Sequence, residues 1–102
     1  MDRYTQWKIQ EMKEQKMIEQ HGVCPGCNKS FRIGEVRELA HILPKRKDLL
    51  LTYGDEIINH RLNMKLTHTG YCNSSVQISP NKTELVNQHI QMIKDAIDNF
   101  TQ

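Results

Sequence analysis

The 102-residue chain predicts an α+β fold, with a helix at each end and a small core of two short extended pieces between them. Three observations carry this expectation. After a break at Ser79-Pro80-Asn81, residues 80–101 place Leu85, Val86, Ile90, Ile93, Ile97 and Phe100 at helical spacing, which makes one apolar face. Residues 2–20 contain neither Gly nor Pro, so nothing interrupts a first helix. Between the two lie Cys24-x2-Cys27 and His68-x3-Cys72, paired residues of metal-ligand type bracketing the extended pieces. The length is that of one domain, spanning 1–102. With six aromatics and 37% hydrophobic residues, apolar burial alone is marginal, so a staple is expected.

Each element has its own reason. In the first helix Tyr4, Trp7, Met12 and Ile18 supply an irregular apolar stripe, Asp2 is placed to cap the start and Gly22 to end it. Residues 23–30, VCPGCNKS, read as a tight turn in which Pro25 presets φ and Gly26 allows a positive φ, turning both sulfurs toward one point. Residues 35–43, EVRELAHIL, read as a strand stopped by Pro44, and residues 45–56 as an exposed loop. A second extended piece is expected around Asn63–Thr67, and a short helix opening within 72–78. The expected layout is an N-terminal helix over 2–20, a stapled core over 22–78 and a C-terminal helix over 80–101.

Composition excludes several classes. No apolar run approaches the ~20 residues of a membrane span, and the N-terminus lacks an apolar signal-peptide core. No membrane association is expected, and three cysteines without an export signal read as thiols in a reducing, cytoplasmic setting. A net charge of +2 neither demands nor excludes nucleic acid, so the local charge distribution has to decide.

Cys24, Cys27, His68 and Cys72 together make a Cys3His set, a complete tetrahedral shell for structural Zn2+. The alternative is a thiol redox pair at Cys24/Cys27. In a small core the metal would close the segment between the two halves and contribute folding energy directly.

Between those halves the sequence resembles the HNH endonucleases of the ββα-metal type, in the branch stapled by zinc. The residues carrying the resemblance are Cys24/Cys27, His41-Ile42-Leu43-Pro44, Asn63 and Cys72-Asn73, over roughly 22–78. The resemblance implies a small ββα-metal core flanked by the two helices, and metal-dependent hydrolysis of DNA phosphodiesters, with a monomer nicking one strand. It implies a catalytic set of His41 as general base, Asn63 holding the loop and orienting His41, and Asn73 as a ligand of catalytic Mg2+ or Mn2+. An imidazole suits the base role because its free pKa of ~6.5 lies near neutrality. An amide oxygen suits a hard cation. It also implies a bacterial or phage-infected cell as the setting.

One position departs from the pattern. Ala40 stands where many relatives carry a metal-binding Asp or His immediately before the general base. Glu38 is the first-ranked substitute ligand, because alternate residues of a strand share a face. Lys45, Arg46 and Lys47 follow Pro44, and Arg61 and Lys65 flank Asn63, so these five are the expected contacts to the DNA backbone. The expected partners are DNA and either a larger specificity protein or a second copy of the chain. The competing expectation is a catalytically weak, zinc-stapled nucleic-acid-binding module, owing to Ala40.

Overall fold

A computed structural model describes residues 2–101, with side chains from Asp2 to Asn99. It shows a small mixed α+β chain containing a two-stranded antiparallel sheet. In chain order the elements are α1 (Arg3–Glu19), β1 (Arg37–His41), α2 (Lys47–Tyr53), α3 (Asp55–Ile58), a 3-10 turn (Arg61–Asn63), β2 (Met64–His68), α4 (Tyr71–Ser75) and α5 (Thr83–Thr101). They fall into two compact units. The first runs through Ala40 and resumes over Lys65–Val76; the second is His41–Met64 with the chain from Gln77 onward.

In the first unit, Asp2 caps α1 by accepting the Thr5 N–H at 2.7 Å. The helix ends in a Schellman arrangement: the Gly22 N–H donates to Met17 O and the His21 N–H to Ile18 O. The left-handed position that glycine normally fills is held by His21, at φ 55°. The expected apolar stripe is not a packing face. Tyr4, Trp7 and Ile18 are exposed, and the buried residue of α1 is Lys16. Only Tyr4 and Trp7 are three residues apart; the next intervals are five and six, so these four cannot line one side of the helix. Polar side chains hold it instead. The Gln20 amide brackets the backbone of Leu66 in β2, its Nε2 donating to Leu66 O and its Oε1 accepting the Leu66 N–H, both at 2.9 Å. Lys13 Nζ donates to Arg37 O at 3.0 Å.

In the second unit, Leu43, Leu49, Ile57, Ile58, Val86, Ile90 and Ile93 form one buried cluster. The contribution from α5 is Val86, Ile90 and Ile93, spaced four and three residues apart as an apolar helix face requires. Leu85 points outward, and the side chain of Phe100 lies outside the described residues. The segment 45–56, expected as an exposed loop, is instead α2 and the start of α3. Its Leu49 belongs to the cluster and its Leu50 and Tyr53 pack against it, and that burial is what stabilises helices too short to form alone. Gly54, at φ 87°, turns the chain sharply from α2 into α3. Among the described residues no helix is long and apolar enough to cross a membrane.

Candidate metal centre

The first half of the centre is a tight knuckle after α1. The Cys24 N–H donates to Lys29 O and the Asn28 N–H to Cys24 O, and Val23 and Ser30 form an antiparallel bridge across its mouth. The positive φ in this turn belongs to Asn28, at 62°, and not to Gly26. Gly26 is needed for a different reason. A Cβ there would lie 2.7 Å from Cys72 Cα and 2.8 Å from Cys72 O, so only a residue without a side chain lets the second half come this close.

That second half joins the end of β2 to α4. His68 is the last residue of β2 and Cys72 the second of α4, with Gly70 turning the chain between them. The ligand atoms of Cys24, Cys27, His68 and Cys72 all lie within 4.8 Å of one another. Nδ1 of His68 is 3.5 Å from Cys27 Sγ and 4.0 Å from Cys72 Sγ. With Zn–S near 2.3 Å and Zn–N near 2.0 Å, a tetrahedral shell would have edges of about 3.5–3.8 Å. The spacing and the donor set therefore fit a structural metal such as zinc, and all three cysteines are free thiols.

The electrostatics also favour a cation. Burial opposes ionisation of Cys24, but the backbone N–H groups of His68, Cys27 and Gly26 outweigh it and hold the thiol down at about 6. Burial and the adjoining sulfurs of Cys24 and Cys27 push Cys72 up to about 11. Sulfurs crowded this closely resist full deprotonation unless positive charge is placed among them. Around His68, the Phe31 ring packs at 4.8 Å, and Glu35 Oε2 lies 3.0 Å from its Nε2. Glu35 had no signal in the sequence. It is distant from His68 along the chain, and neither periodicity nor motif singles it out.

The remaining predicted residues distribute between the two units. In the first, Asn73 Nδ2 donates to Glu38 Oε1 at 3.3 Å, so the expected cation ligand and its first-ranked substitute meet. Ala40 is 1% exposed and offers no donor atom. Lys65 lies half-buried in β2.

In the second unit, His41 is partly exposed, and its Nε2 sits 3.3 Å from Asn59 Oδ1. Asn63 is fully buried. Its Nδ2 donates to Leu43 O (3.0 Å) and Ile58 O (2.7 Å), while its Oδ1 accepts the Leu43 N–H (2.9 Å) and lies 2.9 Å from His89 Nε2. Two carbonyls fix which end of the amide is nitrogen, so His89 must be the donor in the last pair. Asn63 thus pins the backbone two residues beyond His41. His89, which had no partner suggested by sequence, pins Asn63 in turn. Lys45, Arg46 and Lys47 are exposed, with Arg46 paired to Asp48 at 3.0 Å, and Arg61 is exposed on the 3-10 turn. Nδ1 of His60 accepts the Leu62 N–H and caps that turn.

Comparisons with protein-family models, curated proteins and solved structures returned no match.

Proposed function

We propose that the chain is a metal-dependent DNA endonuclease of the HNH, ββα-metal type, stapled by Zn2+ at Cys24, Cys27, His68 and Cys72. The observation that carries the reading is the contact between Asn73 and Glu38. It puts a carboxylate beside the expected amide ligand, in a chain whose usual carboxylate or imidazole position is Ala40. Chain order supports it as well. A strand ending in His41 is followed, after two short helices and a 3-10 turn, by a second strand ending in His68 and a helix that bears Cys72 and then Asn73, which is the strand, strand, helix order of the ββα-metal pattern with a helical segment between the strands.

Each residue then has a chemical task. Glu38 and the Asn73 amide oxygen offer hard oxygen donors to Mg2+ or Mn2+, which suits cations that otherwise keep water and phosphate oxygens. Such an ion, when bound, supplies a Lewis acid for the leaving oxygen of the phosphodiester. His41 takes the proton of the attacking water at an imidazole nitrogen. Asn59 Oδ1 accepts a hydrogen bond from His41 Nε2, leaving Nδ1 as the basic nitrogen. Asn63 holds the Leu43 backbone and with it the turn that follows His41. Lys45, Arg46, Lys47, Arg61 and Lys65 supply backbone contacts to DNA, and Arg46 contributes less because Asp48 already neutralises it. One such chain nicks; a double-strand cut needs a second copy or a larger partner protein. A cytoplasmic setting in a bacterial or phage-infected cell belongs to the same reading.

The test is plasmid nicking in Mg2+ or Mn2+ by wild type, His41→Ala and Glu38→Ala. Loss of nicking in His41→Ala and in Glu38→Ala, at unchanged zinc content, supports the assignment; a variant that nicks as fast as wild type removes the role given to its residue. A second reading, a nucleic-acid-binding module that cuts poorly, is favoured by the buried, donor-free Ala40. It requires that no Mn2+ bind once the structural metal is in place, with DNA affinity retained.

A further inference from the structure

We propose that Glu35 is the orienting partner of the metal centre: its carboxylate fixes which nitrogen of His68 faces the thiolates and ties metal loading to order in the segment leading into β1. This rests on the Cys3His cluster and is independent of whether the chain cuts DNA.

The argument begins with the imidazole. Its Nδ1 faces the sulfurs of Cys27 and Cys72, and its Nε2 lies 3.0 Å from Glu35 Oε2. A carboxylate only accepts hydrogen bonds, so Nε2 must carry the proton, and in the neutral ring the lone pair of Nδ1 is left for the metal. Without that acceptor the neutral ring divides between two tautomers, one of which turns an N–H toward the cluster. A carboxylate behind a ligating histidine also makes its other nitrogen a stronger donor.

The carboxylate is itself positioned. Its second oxygen, Oε1, accepts the backbone N–H of Arg32, closing the turn 32–35, and Glu35 N donates back to Arg32 O. Phe31 packs against the His68 ring and also carries the Arg37 guanidinium over its own ring. One short stretch, Phe31 to Arg37, therefore supplies both Phe31 and Glu35 to His68 and runs directly into the strand that carries Glu38. Glu35 is the one carboxylate in it. Since Glu35 and His68 line an open depression of about 870 Å³, water would compete for Nε2 if the carboxylate were removed.

The experiment measures Zn2+ and Co2+ affinity of the full chain by chelator competition. Glu35→Ala weakens binding about 10–100-fold, and Glu35→Gln, whose amide oxygen still accepts the Nε2 proton, loses less. The same substitution is then made in a His68→Cys background, where no imidazole needs orienting. There Glu35→Ala leaves affinity within about twofold of the His68→Cys parent. Equal losses in both backgrounds would reduce Glu35 to a brace for the turn and overturn the proposal. Should His68→Cys not take up metal, 15N shifts of His68 in the metal-free chain decide. Wild type shows Nε2 protonated, and Glu35→Ala shows a mixture; identical tautomer populations would equally overturn it. Wild type that binds neither metal overturns the centre itself. In hydrogen exchange, metal loading protects Glu35–Arg37 in wild type and no longer does so in Glu35→Ala, while Cys24 and Asn28 stay protected.

Discussion

Replacing Asn63 by alanine should destabilise the second unit at least as much as truncating one of its buried leucines or isoleucines, which costs about 2–5 kcal/mol. The side chain is fully buried and makes four hydrogen bonds, three of them to backbone groups: the Leu43 N–H, Leu43 O and Ile58 O. Truncation strips all three of this partner, and each buried polar group left unsatisfied costs roughly 1–3 kcal/mol. Even at the lower end the loss is about 3 kcal/mol, a large share of the ~5–15 kcal/mol that holds a domain folded. The fourth bond, from His89 Nε2, goes to an oxygen that also accepts from Leu43. Removing it by His89→Ala should therefore cost only about 1 kcal/mol. Urea unfolding followed by circular dichroism, with amide exchange at Leu43 as the local reporter, measures both. Asn63→Asp sharpens the comparison, because it keeps the accepting oxygen but turns a second oxygen toward two carbonyls. That carboxyl must stay protonated in the fold, so its pKa is raised there. Its stabilising contribution is complete below the unfolded carboxyl pKa and is lost as pH rises, making Asn63→Asp the more stable at acid pH. If Asn63→Ala unfolds within about 1 kcal/mol of wild type, the amide is not the fastener of this unit and the reasoning fails.

Further outcomes can be checked in the first unit. Gly26→Ala should abolish tight metal binding, since its Cβ would collide with the backbone of Cys72; retained Co2+ charge-transfer absorption would contradict this. His21→Gly should stabilise the chain by roughly 0.5–1 kcal/mol, because glycine relieves the left-handed strain at that position. An unchanged melting temperature would refute that. His68→Ala or Cys24→Ser should lower zinc content and the stability of this unit together, read by metal analysis and thermal melting. In the metal-free chain, Cys24 is held down at about 6. Its contribution is thus fully present above the thiol's ordinary range and falls away as pH drops toward 6, whereas Cys72, pushed up to about 11, contributes below that range and loses its share toward 11. Cys24→Ser should therefore flatten the pH dependence of metal-free stability between 6 and 9, and an unaltered slope would count against the assignment.

Local chemistry was legible in the chain. The Cys24-x2-Cys27 knuckle and the His68/Cys72 pair are short motifs whose spacing already sets ligand geometry. The apolar face of α5 follows from Val86, Ile90 and Ile93, because a helix brings residues three and four apart to one side whatever it packs against. The cap at Asp2 and the short strand that ends in His68 are local in the same sense. Tertiary structure decided what depends on residues distant in the chain. Leu49, Leu50 and Tyr53 become helical because a buried cluster lies ready to receive them, not because a three-leucine run has a period. Gly26 is required by the approach of Cys72, which no property of its own turn reveals. Glu35 reaches His68, Glu38 reaches Asn73, and His89 reaches Asn63 through side chains that meet in space, and the identity of a carboxylate or an imidazole carries no information about which distant group it will face. Spacing along a backbone is set by covalent geometry and can be read directly, whereas a partner across the fold is set by how the whole chain buries its apolar surface.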